Sequence, residues 1–295
     1  MMIEIKHLDS CSFQTAVEIW NRGFQGYAVD LTQTLDSLLA RIISHGISPA
    51  DSLVAFDANE PVGFLLNALR VSGDSRLAWN GGTGIVPEMR GKGIGKRLVE
   101  AAIDLYTRNS VDRATLEALT TNESAIKLYS SCGYEVVDEL TFLQRDDPVD
   151  DWVTTSPFES YKAVEVAPAV IGQLSFYYKL SPYQALWESV ALACGEAVLI
   201  HDTIGTPVGY ALFKRKFTGE GKLESIELFQ CEVAPSRVDA GEIVLFMLQN
   251  VFGAASGKFR RRTFNLRKSN QLVVDVLRGA GFTTFIEQVH MMRKV

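Results

Sequence analysis

The stretch GIVPEMRGKGIGKRLVEAAIDLY, residues 84–106, decides how the first half of this chain is read. An apolar strand ends at Pro87 and a glycine-rich turn runs from Arg90 to Gly95. Ile94, Leu98, Ala101 and Leu105 then recur at the spacing of one helix face. Glycine at 91, 93 and 95 lets successive backbone N–H groups converge without side-chain obstruction, and the following helix adds the positive end of its dipole. Such a turn is an anion site, and its natural ligand is a pyrophosphate. Two other phosphate loops do not fit the text. A Walker loop needs Gly at Arg90 and Ser or Thr at Arg97, and the dinucleotide fingerprint needs a third Gly at Lys96.

What the turn does spell is R-x-x-G-x-G, through Arg90, Gly93 and Gly95. Downstream, LEALTTNESAIKLYSSCGYE (116–135) sets Asn122 before a helix that carries Tyr129 and closes at Gly133 and Tyr134. Ala125, Leu128, Tyr129 and Cys132 share one helical face, Asn122 suits an N-cap, and Gly133 suits a left-handed helix end. In this order the two motifs resemble the signatures of the GNAT acetyltransferases, and AWNGGTGIVPE (78–88) resembles a subgroup of them. The resemblance implies an α/β fold of the mixed type, with a mostly antiparallel central sheet flanked by helices. It also implies acetyl-CoA as acyl donor, with no metal. The cofactor-binding residues expected from it are Thr83, Ile85, Val86, Arg90, Gly91, Lys92, Gly93, Ile94, Gly95, Lys96, Asn122 and Tyr129.

The second half repeats the first at an offset of about 148 residues. Val62-Gly63-Phe64 corresponds to Val208-Gly209-Tyr210, Pro87 to Pro235, Asn122 to Asn270, and Gly133-Tyr134 to Gly281-Phe282. The repeat has lost the anion turn. Val238, Gly241 and Ile243 stand where Arg90, Gly93 and Gly95 do, Asp239 and Glu242 replace Gly91 and Ile94, and Leu277 replaces Tyr129. A carboxylate beside a pyrophosphate repels it by about 1 to 4 kcal/mol, depending on local dielectric. The expected organisation is therefore tandem: a catalytic domain at 1–145, an acidic, proline-bounded linker at 146–157, and a degenerate GNAT-like domain at 158–295.

Length and composition agree with two cores: 295 residues, 47% of them hydrophobic. A formal net charge of −6 argues against a dedicated binder of nucleic acid or of anionic membrane. The basic cluster of Lys258, Arg260, Arg261, Arg262, Arg267 and Lys268 reads as a solvated strand edge or local patch. Cys11, Cys132, Cys194 and Cys231 are scattered, which argues against disulfides and zinc, and the four histidines are isolated. With no apolar leader and no membrane-length apolar run, the expectation is a cytoplasmic protein, monomer or homodimer.

Direct transfer of acetyl to an amine needs a rigidly held donor, a free amine lone pair and a proton for the leaving thiolate. The strand end at Thr83 to Val86 would take the pantetheine arm, and its amides would steady the oxyanion; these residues also suit an ordinary strand core. The resemblance puts Tyr129 beside the sulfur as proton donor; a Tyr on an apolar helix face is otherwise a packing residue. A lysine-like amine, with a pKa near about 10.4, must lose a proton first. The strand Ala78 to Val86 offers no carboxylate, and Glu117 is the substitute, at a spacing similar to that of the base in ribosomal-protein N-terminal acetyltransferases. Its alternatives are a solvated strand end or a pair with Arg113, and a water relay through Asn80 or Thr83. The loop 21–33 lies on the acceptor side by resemblance, so Phe24, Tyr27, Asp30, Trp79 and Asn80 are the expected substrate-binding residues. The function so implied is an N-acetyltransferase acting on a primary amine of a small molecule or peptide. The alternative is a noncatalytic acyl-CoA-binding sensory or partner-binding module.

Overall fold

A computed structural model describes residues 2–147, 160–253 and 258–295. Most of the expected linker, 148–157, lies outside them. The chain divides into two compact units, Met1–Val137 with His290–Val295, and Asp138–Val289.

In the first unit, β1 (Ile3–His7), β2 (Leu53–Asp57), β3 (Glu60–Ser72) and β4 (Ser75–Ile85) form an antiparallel run. Strand β5 (Arg113–Leu119) then lies parallel to β4, and the end of β13 (Thr283–Lys294) follows it. The parallel pairing is short: Leu77, Ala78 and Trp79 against Arg113, Ala114 and Thr115. Beyond Trp79 and Thr115 the two strands part, which opens the sheet on the side of their C-terminal ends. A bulge lies in the opening, because Leu66 pairs with Gly82 and Asn67 with Asn80, leaving Gly81 unmatched.

Local chemistry explains the helices of this unit. Helix α1 (Phe13–Gly23) is capped by the Ser12 hydroxyl, and α2 (Leu35–His45) by a Thr34/Ser37 capping box, with left-handed Gly46 at its end. Helix α3 (Ile94–Arg108) buries Ile94, Leu98, Val99, Ala102, Leu105 and Tyr106, so Ala102 rather than Ala101 lies in the most buried row. Helix α4 (Glu123–Ser131) starts at Asn122, whose side chain accepts from the Ala125 N–H at 3.2 Å, and Gly133 follows it at φ +83°.

The second unit has the strand order β7 (Tyr161–Val166), β8 (Glu196–Asp202), β9 (Pro207–Phe217), β10 (Leu223–Val233), β11 (Arg260–Thr263) and β6 (Glu135–Arg145). Strand β12 (Leu266–Arg267) also pairs with β6, as does β13. Its helices are α5 (Pro168–Ile171), α6 (Trp187–Leu192), α7 (Ala240–Leu248), which runs into a π turn, and α8 (Gln271–Gly279). Its core gathers Leu143 of β6 with Ile226, Leu228, Ile243, Met247, Phe252 and Leu277.

Two sequence expectations change here. The units do not part at residues 146–157: β6 from Asp138 onward belongs to the second unit, and residues 290–295 close the first. Pairing decides this. Leu140 and Thr141 sit opposite Arg267 and Leu266, Lys268 bonds Glu139 at 2.9 Å, and the Val295 N–H donates to the Asp112 carbonyl. The basic cluster is likewise not a solvated edge throughout. Arg261 is 1% exposed, lies over the Phe259 ring and donates to the Phe252 and Phe259 carbonyls. Arg267 is stacked on Tyr178 and paired with Glu232 at 2.7 Å.

Candidate active site

A cavity of about 620 Å³ occupies the place where β4 and β5 part. It is bounded by the start of α3, the start of α4, the end of β4 and the loop after α1. Thr83, Ile85, Arg90, Gly91, Gly93, Ile94, Gly95, Lys96, Asn122 and Tyr129 all line it, as do Phe24 and Tyr27.

The turn at its mouth is built as its sequence requires. Gly91 and Gly93 have φ of +74° and +80°, and a Cβ at either would meet nothing within 4 Å, so backbone conformation demands glycine there. Gly95 serves differently. It is already helical, and its missing side chain lets Leu128 of α4 approach to 3.1 Å of the ideal Cβ position. In the first turn of α3 the N–H groups of Ile94, Gly95 and Lys96 have no carbonyl four residues back within the helix, so they remain available to an anion. Arg90 lines the cavity, but its guanidinium is turned to backbone: it donates to the Ile85, Gly23 and Gln25 carbonyls at 3.0, 3.1 and 2.7 Å. Its work is to tie the end of β4 to the loop after α1. Lys92 reaches back to Met89, and Val86 is buried with its N–H on the Val62 carbonyl; neither lines the cavity.

Deeper in, the Tyr129 hydroxyl meets Thr83 and Asn80. Burial raises its pKa, and those two hydrogen bonds act against the rise. The phenol therefore stays protonated at neutral pH and can donate. Asn80 and Thr83 hold each other at 2.9 and 3.1 Å, and the Asn80 side-chain Oδ1 also accepts the Gly82 N–H, so the bulge itself positions the pair that meets Tyr129.

Glu117 and Trp79 sit together away from the cavity lining. The indole donates to Glu117 Oε2 at 2.8 Å, while Oε1 is buried without a hydrogen-bond partner. Desolvation pushes the carboxyl up to about 7, against the pull of the Trp79 hydrogen bond and the Arg41 charge. The pair with Arg113 and the solvated strand end, both open from sequence, are not what the structure has. Among the expected acceptor residues, Phe24 and Tyr27 pack edge to face at 5.4 Å, and Phe24 also touches Trp20 and Phe64. Asp30 lies exposed on the loop surface, accepting the Thr32 N–H, and is not brought to the cavity. The loop is fixed by Asn21, which brackets Gln33 with two hydrogen bonds, and by the Trp20 indole on the Leu31 carbonyl. Sequence reasoning missed Arg41, which donates to the Gly81 carbonyl at 2.8 Å, and His45, whose ring lies 5.7 Å from that of Trp79.

The acetyltransferase (GNAT) family profile matches residues 13–134. Over 137 residues the chain is 30% identical to the peptidyl-lysine N-acetyltransferase YjaB of Salmonella typhimurium, a span that is 46% of this chain and 86% of that protein. The chain belongs to the GNAT acetyltransferase family. The tandem architecture is shared with solved structures as well. A tandem GNAT protein from the clavulanic acid biosynthesis pathway superposes with a TM-score of 0.64 at 14% identity, covering 99% of this chain and 98% of its own. A GCN5-related N-acetyltransferase from Sphaerobacter thermophilus gives 0.65 at 15%, covering 99% and 95%. In this GNAT chain, among the described residues, no helix is long and apolar enough to cross a membrane and no group of three or more His, Cys, Asp or Glu residues can hold a metal.

Proposed function

We propose that the first unit is an N-acetyltransferase that moves acetyl from acetyl-CoA directly to a primary amine of a small molecule or peptide. The observation that carries this reading is one cavity holding both ends of the donor's requirements: free helix-terminal N–H groups behind the Gly91–Gly93 turn at one end, and the Tyr129 hydroxyl at the other. Acetyl-CoA supplies an activated thioester. The turn and the N–H groups of Ile94, Gly95 and Lys96 would bind its pyrophosphate, and the end of β4 from Thr83 to Ile85 would face its amide-rich arm. Tyr129, kept protonated by burial, gives its proton to the departing sulfur. Glu117, at the parting of β4 and β5 and behind the lining, would take the proton the amine must shed through a water relay by way of Asn80 or Thr83. Similarity to a peptidyl-lysine N-acetyltransferase makes a lysine side chain the first acceptor to try. The second unit, with its acidic turn, supports the first, and the acidic, disulfide-free chain suits the cytoplasm.

The test is thiol release from acetyl-CoA over a panel of lysine peptides and small amines, with wild type beside Tyr129→Phe. Acceptor-dependent release is expected, and the variant should lose about 10² to 10⁴ in turnover while keeping its CoA affinity. Tight CoA binding with no acceptor-dependent release would leave a noncatalytic acyl-CoA sensor instead.

A further inference from the structure

Helix α2 carries two side chains one turn apart that reach the opening between β4 and β5. Arg41 donates through Nη2 to the carbonyl of Gly81 at 2.8 Å, the residue that the bulge leaves unmatched on the neighbouring strand. His45 meets the Trp79 ring edge to face. The same Trp79 ring lies against Gly81, where a Cβ would fall 2.7 Å from it, and its indole N–H holds Glu117. Arg41, Gly81, Trp79 and Glu117 thus form one connected set, with Gly81 and Glu117 each two residues beyond the last β4–β5 pair, Trp79–Thr115.

Two atoms in the set are buried and lack hydrogen-bond partners, Nε of Arg41 and Oε1 of Glu117. Each is costly to bury on its own, and the Arg41 charge favours the ionised form of the Glu117 carboxyl. The guanidinium also lies 5.1 Å from the Trp20 ring centroid, so an aromatic face and a carbonyl fix its plane. The elements packed around β5 carry further ionisable groups: His45 on α2, whose ring meets Trp79, Arg113 on β5 itself, and on β13 alongside the buried His290 and Arg293, whose guanidinium donates to the Cys132 carbonyl.

We propose that Arg41 is a positioning residue for acetyl transfer: it pins the bulge at Gly81, against which the Trp79 ring rests, and so fixes the indole that holds Glu117 for the incoming amine. The proposal rests on the reading of Glu117 as proton acceptor. Desolvation alone would keep the carboxyl protonated and useless as a base; the Trp79 hydrogen bond opposes this first and the Arg41 charge second, and loss of Arg41 would disturb both.

The experiment is a carboxyl-carbon NMR titration of the intact protein, with the Glu117 resonance identified by its loss in Glu117→Gln. A midpoint near 7 is expected for wild type. Arg41→Gln should raise it by about one pH unit or more, Arg41→Lys should hold it near wild type, and the acid limb of the transfer rate should move with it. An unmoved midpoint in Arg41→Gln overturns the proposal. Where that variant does not fold, the Arg41 Nε resonance of the unaltered protein must itself inflect at the Glu117 midpoint and lose that inflection in Glu117→Gln. A resonance blind to Glu117 overturns the proposal equally. Because the titration needs no turnover, absence of acetyl transfer would defeat the functional reading separately.

Discussion

The two units carry the same hinge of structure and use it oppositely. Each has a bulge in its fourth main strand, at Gly81 in β4 and at Phe229 in β10, where Leu228 pairs with Phe213 and Gln230 with Leu212. Each has an Asn ahead of the next helix in nearly identical backbone geometry, Asn122 at φ −92°, ψ 65° and Asn270 at φ −83°, ψ 64°. In the first unit Asn122 caps α4 and borders an open cavity. In the second, the Asn270 amide donates to the Cys231 carbonyl at 2.8 Å and Arg267 clasps Glu232, so the corresponding side chains bond to the protein itself. The anion turn differs as sharply: Asp239 is tied up by Arg237 and by the Tyr161 hydroxyl at 2.7 Å, and its carboxyl is held down at about 2. The lesson is that one backbone frame borders a cavity or binds its own neighbours according to a handful of side chains.

The sharpest way to break this contrast is to separate the halves. Residues 1–145 alone keep every residue of the cavity but lack 290–295, which lie next to β5. That fragment is expected to show neither a cooperative melt by circular dichroism nor heat with CoA by calorimetry, and a fragment that does both removes the account of how the first unit is completed.

Writing the second unit's charge into the first gives a smaller effect. Gly91→Asp imports the residue found at Asp239; Asp tolerates a left-handed backbone, so the turn survives and the carboxylate meets the pyrophosphate. The CoA dissociation constant should rise about ten- to several-hundred-fold at low salt. An unchanged constant would mean the donor binds elsewhere.

The mildest test concerns stability. Burial raises the folded-state pKa of Glu117 to about 7, so the folded protein keeps a proton that the unfolded chain has already released. Stability from this group is therefore full below the ordinary carboxylate range and falls as pH rises toward 7. Glu117→Gln removes the loss, and above pH 7 it should be more stable than wild type by up to about 3 kcal/mol in urea titrations, with the difference shrinking as pH falls and vanishing below about pH 4. A gain that is the same at every pH would point to packing instead.

What could be read from the sequence was what local chemistry dictates. Gly91 and Gly93 signal a left-handed turn, Asn122 signals a cap, Gly133 a helix end, and all four stand so in the fold. The two anion turns could be told apart because Asp239 and Glu242 are plain in the text. The strand exchange was hidden, since Glu135–Arg145 and Thr283–Lys294 read as equivalent closing strands and partner choice is set by pairing far away in sequence. Arg261 looked solvated because the Phe259 ring and the carbonyls that take it up are tertiary neighbours. Arg41 gave no signal at all, being one more polar residue on an amphipathic helix, and Glu117 became a Trp79 partner only once the β4–β5 register was known.

The threading of residues 290–295 onto β5 also has a consequence for biosynthesis. A ribosome that has made the whole of the acyl-transfer motif has still not made the strand that covers its sheet, so the nascent first unit carries a bare β5 edge while some 150 further residues emerge. Maturation of the leading half is thereby coupled to the arrival of the trailing one, and a chain cut short would present an adhesive edge instead of a finished enzyme.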